Sequence, residues 1–223
     1  MNLGDCRPNG GPTVNTKAID NGQPDVLPLA DMTSGQLARR AKVIEAVIDV
    51  ITDVGADAVQ MRDVAQRSGV ALATVYRYFR SKEHLLAAAL EDWQKRLTRR
   101  ILAARSSTDE GPLPGVLDYL RRAQRAFYRN PEMTALMLQT MASTDSEARA
   151  AIDQMNGTNI EMFDRLLQGV ADEKIPNVTF GVNAALSSAL AGVLAGMLTL
   201  DESLDRVEWV ARTLLDATSQ GKR

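Results

Sequence analysis

The chain of 223 residues has one cysteine, Cys6, and one histidine, His84. A single thiol excludes an intrachain disulfide and a cysteine-rich metal framework, which fits a reducing cytoplasm. A lone histidine with no second ligand nearby has a surface or packing role rather than a metal-binding or catalytic one. Aromatic residues are only 4% of the chain, and proline is confined to the first 28 residues and three later breaks. Sustained strand-like alternation is also missing, and Ala and Leu abound, so the expected fold class is all-α. There is no G-x-S-x-G, no glycine-rich phosphate loop and no metal-ligand cluster, so neither an enzyme nor a cofactor is implied.

Charge of one sign is also lacking. The net charge is −2, but residues 36–83 carry 8 basic and 6 acidic groups, and they are the one net-positive segment. An excess that small excludes binding to nucleic acid by bulk charge, so a few placed cations must act. The first 35 residues are rich in Gly, Pro, Asn and Asp and lack the apolar run of a signal peptide. They read as a disordered tail. The alternative, an arm entering the minor groove, has only Arg7 and Lys17 to offer.

What is present centres on Gln60 to Leu86, QMRDVAQRSGVALATVYRYFRSKEHLL. Met61, Val64 and Ala65 recur at helical spacing, Gly69 stops that helix, and Val75 and Phe79 give the next one a buried stripe. This is a helix-turn-helix, with Thr74, Tyr76, Arg77 and Tyr78 expected on one exposed face suited to a major groove. Arg77 is the candidate for guanine O6 and N7. Tyr76 and Tyr78 offer hydroxyls to phosphate, and Thr74 offers its hydroxyl to phosphate or its methyl to thymine. Arg62 sits where backbone amides at a helix start and a cation can jointly hold a phosphate. Ser81 caps a fourth helix whose first turn carries Lys82, a second phosphate clamp or else an ordinary exposed lysine.

At GVALATVYRYFRSKEHL the sequence resembles the segment that defines the TetR family of bacterial transcriptional regulators. More narrowly, QMRDVA followed by VYRYFRSKEHLL resembles the actinobacterial repressors of cholesterol and steroid catabolism. The motif covers about a quarter of the chain, the pattern of a shared DNA domain with a divergent effector domain. Ala71 departs from the family, where serine commonly caps the reading helix and touches the backbone. Leu72 and Ala73 are apolar where polar or small residues are common, which leaves them thymine-methyl contact or packing.

The resemblance implies a three-helix helix-turn-helix DNA-binding domain at 36–83, after a tail at 1–35. A larger helical effector-binding and dimerisation domain at 84–223 would follow. Double-stranded palindromic operator DNA, a small apolar effector such as a steroid or fatty acyl-CoA thioester, and a second copy are the implied partners of a cytoplasmic repressor.

Along the chain, Leu37, Ala41, Ile44, Val47, Ile48 and Ile51 predict a first helix from Gln36 to about Val54, ended at Gly55. Its Arg39 and Arg40 read as phosphate contacts or solvated charges. The fourth helix continues through Leu90, Trp93, Leu97 and Ile101 as a lever into the effector domain, and residues 107–115 break it. Helices over Val116 to Tyr128, from Asn130-Pro131, and over 146–169 with a weak point at Asn156-Gly157, come next. Met133, Met137 and Met141 fall at intervals of four. Core packing explains such a stripe, but with Trp93, Phe127, Met155, Met162 and Phe163 it also makes an adaptable apolar lining.

Residues 182–200 carry no charge and on length alone permit a membrane span. Asn183, Ser187 and Ser188 dilute them and no basic cluster flanks them, so a helix buried on two sides, without membrane association, explains them better. Leu186, Leu190, Val193 and Met197 form its bulky face. Gly181, Ala185, Ser188, Gly192 and Gly196 form a small-residue face that lets a helix approach closely. The last helix, Ser203 to Thr218, carries Trp209. The resemblance implies that these last two helices pair with their copies in a four-helix dimer interface. Two other classes compete: a DNA-binding architectural protein without an effector, and a membrane-associated helical protein.

Overall fold

The computed structural model describes residues 26–103, 111–144 and 146–219, which contain helices and no strand. The helices are α1 (Ser34–Val54), α2 (Met61–Ser68), α3 (Leu72–Tyr78), α4 (Lys82–Ala103), α5 (Pro112–Tyr128), α6 (Pro131–Ala142), α7 (Ser146–Leu166), α8 (Ile175–Leu194) and α9 (Leu200–Ser219). The expected all-α class holds.

Helix α1 starts two residues earlier than Gln36 because Thr33 and Gln36 cap it reciprocally. The Gln36 amide donates to Thr33 Oγ1 at 3.4 Å and the Thr33 amide donates to Gln36 Oε1 at 2.8 Å. Its buried face is Val43, Ile44, Val47, Val50 and Ile51, whereas Leu37 and Ala41 are exposed. The apolar stripe is therefore rotated toward Val43 and Val50.

Residues 1–25, and with them most of the expected disordered tail, lie outside the described residues. The rest of that tail is corrected by the structure. Met32 is buried, and the Leu27 amide donates to the Arg77 carbonyl at 3.1 Å, which lays the segment before α1 against the end of α3.

Helix α2 ends at Gly69, whose φ of 67° is left-handed and whose amide bonds back to Ala65 and Gln66 carbonyls. A Cβ added there would meet nothing within 4 Å. Gly69→Ala should therefore cost only backbone strain, about 1 kcal/mol in chemical denaturation. An unchanged midpoint would contradict this account of the turn.

Helix α4 packs against α1 at one end and against α5, α6 and α7 along the rest. Arg40 of α1 joins the two, its guanidinium lying 5.0 Å from the centre of the Phe79 ring. Burial lowers its pKa, opposed by the nearby carboxylates of Glu91 and Asp92 on α4. Arg40 is thus half-buried against Phe79 rather than a wholly solvated charge.

The expected break at residues 107–115 lies in part outside the described residues, and α5 begins at Pro112 rather than Val116. Helix α7 runs without interruption through Gly157, so the expected weak point there does not break it.

The uncharged stretch is not one helix. Helix α8 begins at Ile175 and stops at Leu194, and Gly196 turns the chain with a φ of 70°. The Met197 and Leu198 amides close that turn on the Gly192 carbonyl. Asp172–Leu194 has the length and composition to cross a membrane. Here α8 packs on α5, α6, α7 and α9, which buries Val182, Leu186 and Leu190. Leu186 and Leu190 are buried as expected, but Met197 is 73% exposed because it lies beyond the turn.

Candidate functional site

Helix α3 sits at the surface with α1 and α2 behind it. Val75 and Phe79 are fully buried beneath it, so the face opposite is left outward. Ala73, Tyr76 and Arg77 are exposed on that face, with Leu72 and Thr74 half-buried at its edge and Leu72 packed on the core. Arg62 is exposed in the first turn of α2.

Tyr78 corrects the expectation. It is 2% exposed and belongs to the core, because it stands three residues after Val75 on the same helical stripe. It is not placed to bond a phosphate.

The start of α4 borders this face. Ser81 Oγ accepts the His84 amide at 3.0 Å, the expected cap. His84 packs edge-on to Phe79, ring centres 5.6 Å apart, and its Nδ1 accepts the Arg80 amide at 3.3 Å, a packing role. Lys82 donates from Nζ to the Asp57 carbonyl at 2.6 Å, which ties α4 to the loop before α2. No side chain caps α3 at Ala71.

The second site is a void in the carboxy-terminal half. An inner chamber of about 210 Å³ lies among α4, α5, α6, α7 and α8, and a groove of about 1060 Å³ opens from it between α7 and α8. Met141, Asn159, Asn183 and Ser187 line both and mark where they join. Phe127 and Met137 line the chamber as expected, and Met141, 51% exposed, stands at the junction.

Three of the other expected lining residues are core. Met133, Met162 and Phe163 are buried and line neither space. Trp93 packs on Phe127 with ring centres 5.1 Å apart, and Phe163 meets Tyr119 edge-on at 6.0 Å. The Met155 side chain lies outside the described residues.

The lining includes polar residues that sequence reasoning had not assigned to a site. Gln94 and Thr98 are one turn apart on α4, and Asn183 and Ser187 one turn apart on α8. The signal was there, as polar residues repeating at four-residue spacing on otherwise apolar faces. Tyr119 adds its hydroxyl from α5. Burial pushes that phenol up to about 12, with a hydrogen bond to Thr98 acting the other way, so it stays a proton donor at neutral pH.

The expected dimer residues divide. Gly181 and Gly192 correct the reading, because each serves packing within the chain. A Cβ on Gly181 would lie 2.7 Å from Leu214 Cδ1, and one on Gly192 2.8 Å from Leu198 Cδ1. Ala185 is half-buried, and Gly196 is in the turn after α8 rather than on its face. Ser188 and Trp209 are exposed, Trp209 by 68%, on the outer sides of α8 and α9.

Residues 43–89 match the family model described as bacterial regulatory proteins, tetR family. The HTH-type transcriptional repressor KstR of Rhodococcus jostii is 33% identical over 135 residues, 60% of this chain and 62% of that one. KstR of Mycobacterium tuberculosis is 33% identical over 141 residues, 60% of this chain and 61% of that one. The chain thus spans only 62% and 61% of the lengths of these relatives.

A solved TetR transcriptional regulator from Rhodococcus sp. RHA1 superposes with a TM-score of 0.67 at 25% identity, over 82% of this chain and 98% of that one. The regulator FadR of Bacillus subtilis, solved in complex with stearoyl-CoA, superposes with a TM-score of 0.58 at 14% identity, over 78% and 96%. That second likeness is one of fold alone. Residues 43–89 thus carry the segment of the tetR family of bacterial regulatory proteins, and over 60% of its length the chain is similar to the KstR repressors.

Proposed function

We propose that the chain is a cytoplasmic, ligand-responsive transcriptional repressor that binds a palindromic operator as a homodimer. An apolar effector with a sterol or fatty-acyl body, held among α4 to α8, releases it. Residues 36–83 serve as the DNA-binding domain and 84–223 as the effector and dimerisation domain. The similarity to repressors named KstR supports the repressor reading. The stearoyl-CoA bound to FadR, a protein of the same fold, supports an effector with a long apolar body.

One observation carries the proposal. Helix α4 has Lys82 at one end, beside the reading helix, and Gln94, Leu97 and Thr98 on the inner chamber farther along. A ligand that displaces those three residues moves a rod whose other end packs on α1, the helix behind α3, and is tied through Lys82 to the loop before α2. The effector acts only if it prefers the conformation in which the two reading helices of a dimer are wrongly spaced.

The reading helix spans only seven residues, so one copy covers too few base pairs for useful selectivity. Fragments retained from genomic DNA should therefore show two protected half-sites related by an inverted repeat, about 34 Å apart between centres or a multiple of it. Specific protection without an inverted repeat would contradict the dimer.

In this reading Arg77 reads a base, and Arg62, Thr74, Tyr76 and Lys82 position the backbone, with Leu72 and Ala73 beside a thymine methyl. Arg77→Ala should cost about 1–3 kcal/mol per half-site and relax one base pair, whereas Lys82→Ala should weaken all sequences alike and flatten the salt dependence. Identical specificity profiles and salt slopes would refute that division.

A further inference from the structure

We infer that Leu27 is a positioning residue of DNA recognition: residues 26–32 form a strap whose backbone holds the end of the reading helix and so fixes how Arg77 is presented. The inference rests on the reading of α3 as the operator-facing helix and adds to it a segment that acts through the backbone of α3.

A helix of seven residues holds itself poorly, because the last four carbonyls of any helix lack a partner within it. In α3 one of these belongs to Arg77, and it accepts the Leu27 amide at 3.1 Å from outside the helix. Arg77 is thereby gripped by its backbone while its side chain is exposed. Leu27 itself is half-buried and packed on the core. Pro28 after it restricts Leu27 to extended backbone in the unfolded chain as well, so little freedom is lost on docking.

The rest of the strap is short and closed. The Asp31 and Met32 amides donate to the Pro28 and Leu29 carbonyls at 3.0 and 3.2 Å, which closes a single 3-10 turn over Leu29–Asp31. Met32 is buried in the same core, and Thr33 follows as the cap of α1. The end of α3 is thus moored to the start of α1 through two apolar anchors, Leu27 and Met32.

A net hydrogen bond of this kind shifts a local equilibrium about fivefold. With the strap released, the fraction of α3 in the reading pose falls by that factor, and the apparent affinity for specific DNA falls with it. The phosphate-facing cations Arg62 and Lys82 stand on other helices, α2 and α4, so binding that depends on charge alone is spared.

The test uses the full chain and two duplexes, one recovered from genomic DNA by the parent protein and a scrambled duplex of the same composition. Leu27→Pro removes the amide donor, whereas Leu27→Met keeps it with an apolar side chain of similar volume. Leu27→Pro should bind the recovered duplex about fivefold more weakly per half-site, with its affinity for the scrambled duplex and its salt dependence unchanged. Leu27→Met should bind as the parent does. No loss in Leu27→Pro, the same loss in Leu27→Met, or an equal loss on both duplexes would overturn the inference. Amide exchange in the parent is a second measurement that needs no variant to fold. By linkage, DNA that selects the reading pose stabilises the strap, so the Leu27 amide should exchange about fivefold more slowly with the recovered duplex than with the scrambled one. Equal exchange would overturn the inference as well. A parent that retains no duplex in preference to the scrambled one would instead overturn the reading of α3 as the operator-facing helix.

Discussion

Tyr78→Ala should unfold the reading domain at a cost of about 3–5 kcal/mol, and Tyr78→Phe should bind operator as the parent does. The first change empties space at the centre of the helix-turn-helix, where Tyr78 is 2% exposed beside the fully buried Val75 and Phe79. The second leaves the ring in place. If the hydroxyl bonded a phosphate, its loss would instead weaken operator binding by about 1 kcal/mol at each half-site. Thermal unfolding separates the two effects from each other, and operator titration of Tyr78→Phe decides whether the residue is core or contact. A stable Tyr78→Ala variant would contradict the packing described.

Tyr78 also illustrates what the sequence makes legible. Gly69, Val75 and Phe79 mark the turn and the buried stripe because their spacing and conformational demands are local. Tyr78 obeys the same spacing rule, one turn from Val75, but its hydroxyl gives it the composition of a surface residue. In a helix of seven residues, position decides and composition misleads.

The end of α8 was hidden for a related reason. Gly192 and Gly196 look alike in sequence, yet one is packed under Leu198 and the other takes a φ of 70° to turn the chain. The chamber was legible only in part. Phe127, Met137 and Met141 announce an apolar lining, but a void is created by five helices meeting imperfectly. No spacing within one helix separates Met137, which lines it, from Met133, which does not.

The second large effect is expected at the outer faces of α8 and α9. Ser188→Glu combined with Trp209→Glu should convert a dimer at micromolar concentration to a monomer, weakening association by about 100-fold or more. Charges would then replace a small residue and an aromatic anchor at the centre of the proposed contact. Both side chains are exposed in the single chain, and neither lines the chamber or the groove. The monomer should therefore stay folded and keep its ligand site, while operator affinity collapses with the loss of one reading helix. Gly192→Ala is the contrasting change. Its added methyl would press on Leu198 Cδ1 at 2.8 Å, so it should lower stability without a specific loss of the dimer. Sedimentation of the double variant as an intact dimer would remove these two residues from the interface.

Coupling between the chamber and the reading helices is the core of the account, and coupling is reciprocal: whatever factor the effector takes from operator affinity, operator must take from effector affinity. The most direct measurement is titration of the tightest-binding ligand with a sterol or fatty-acyl body into the full chain, free and saturated with its operator. A ratio of about 100-fold, near 2.7 kcal/mol, is the result predicted for a ligand that releases DNA through α4. Equal affinities in the two titrations would contradict the account, however tightly the ligand bound.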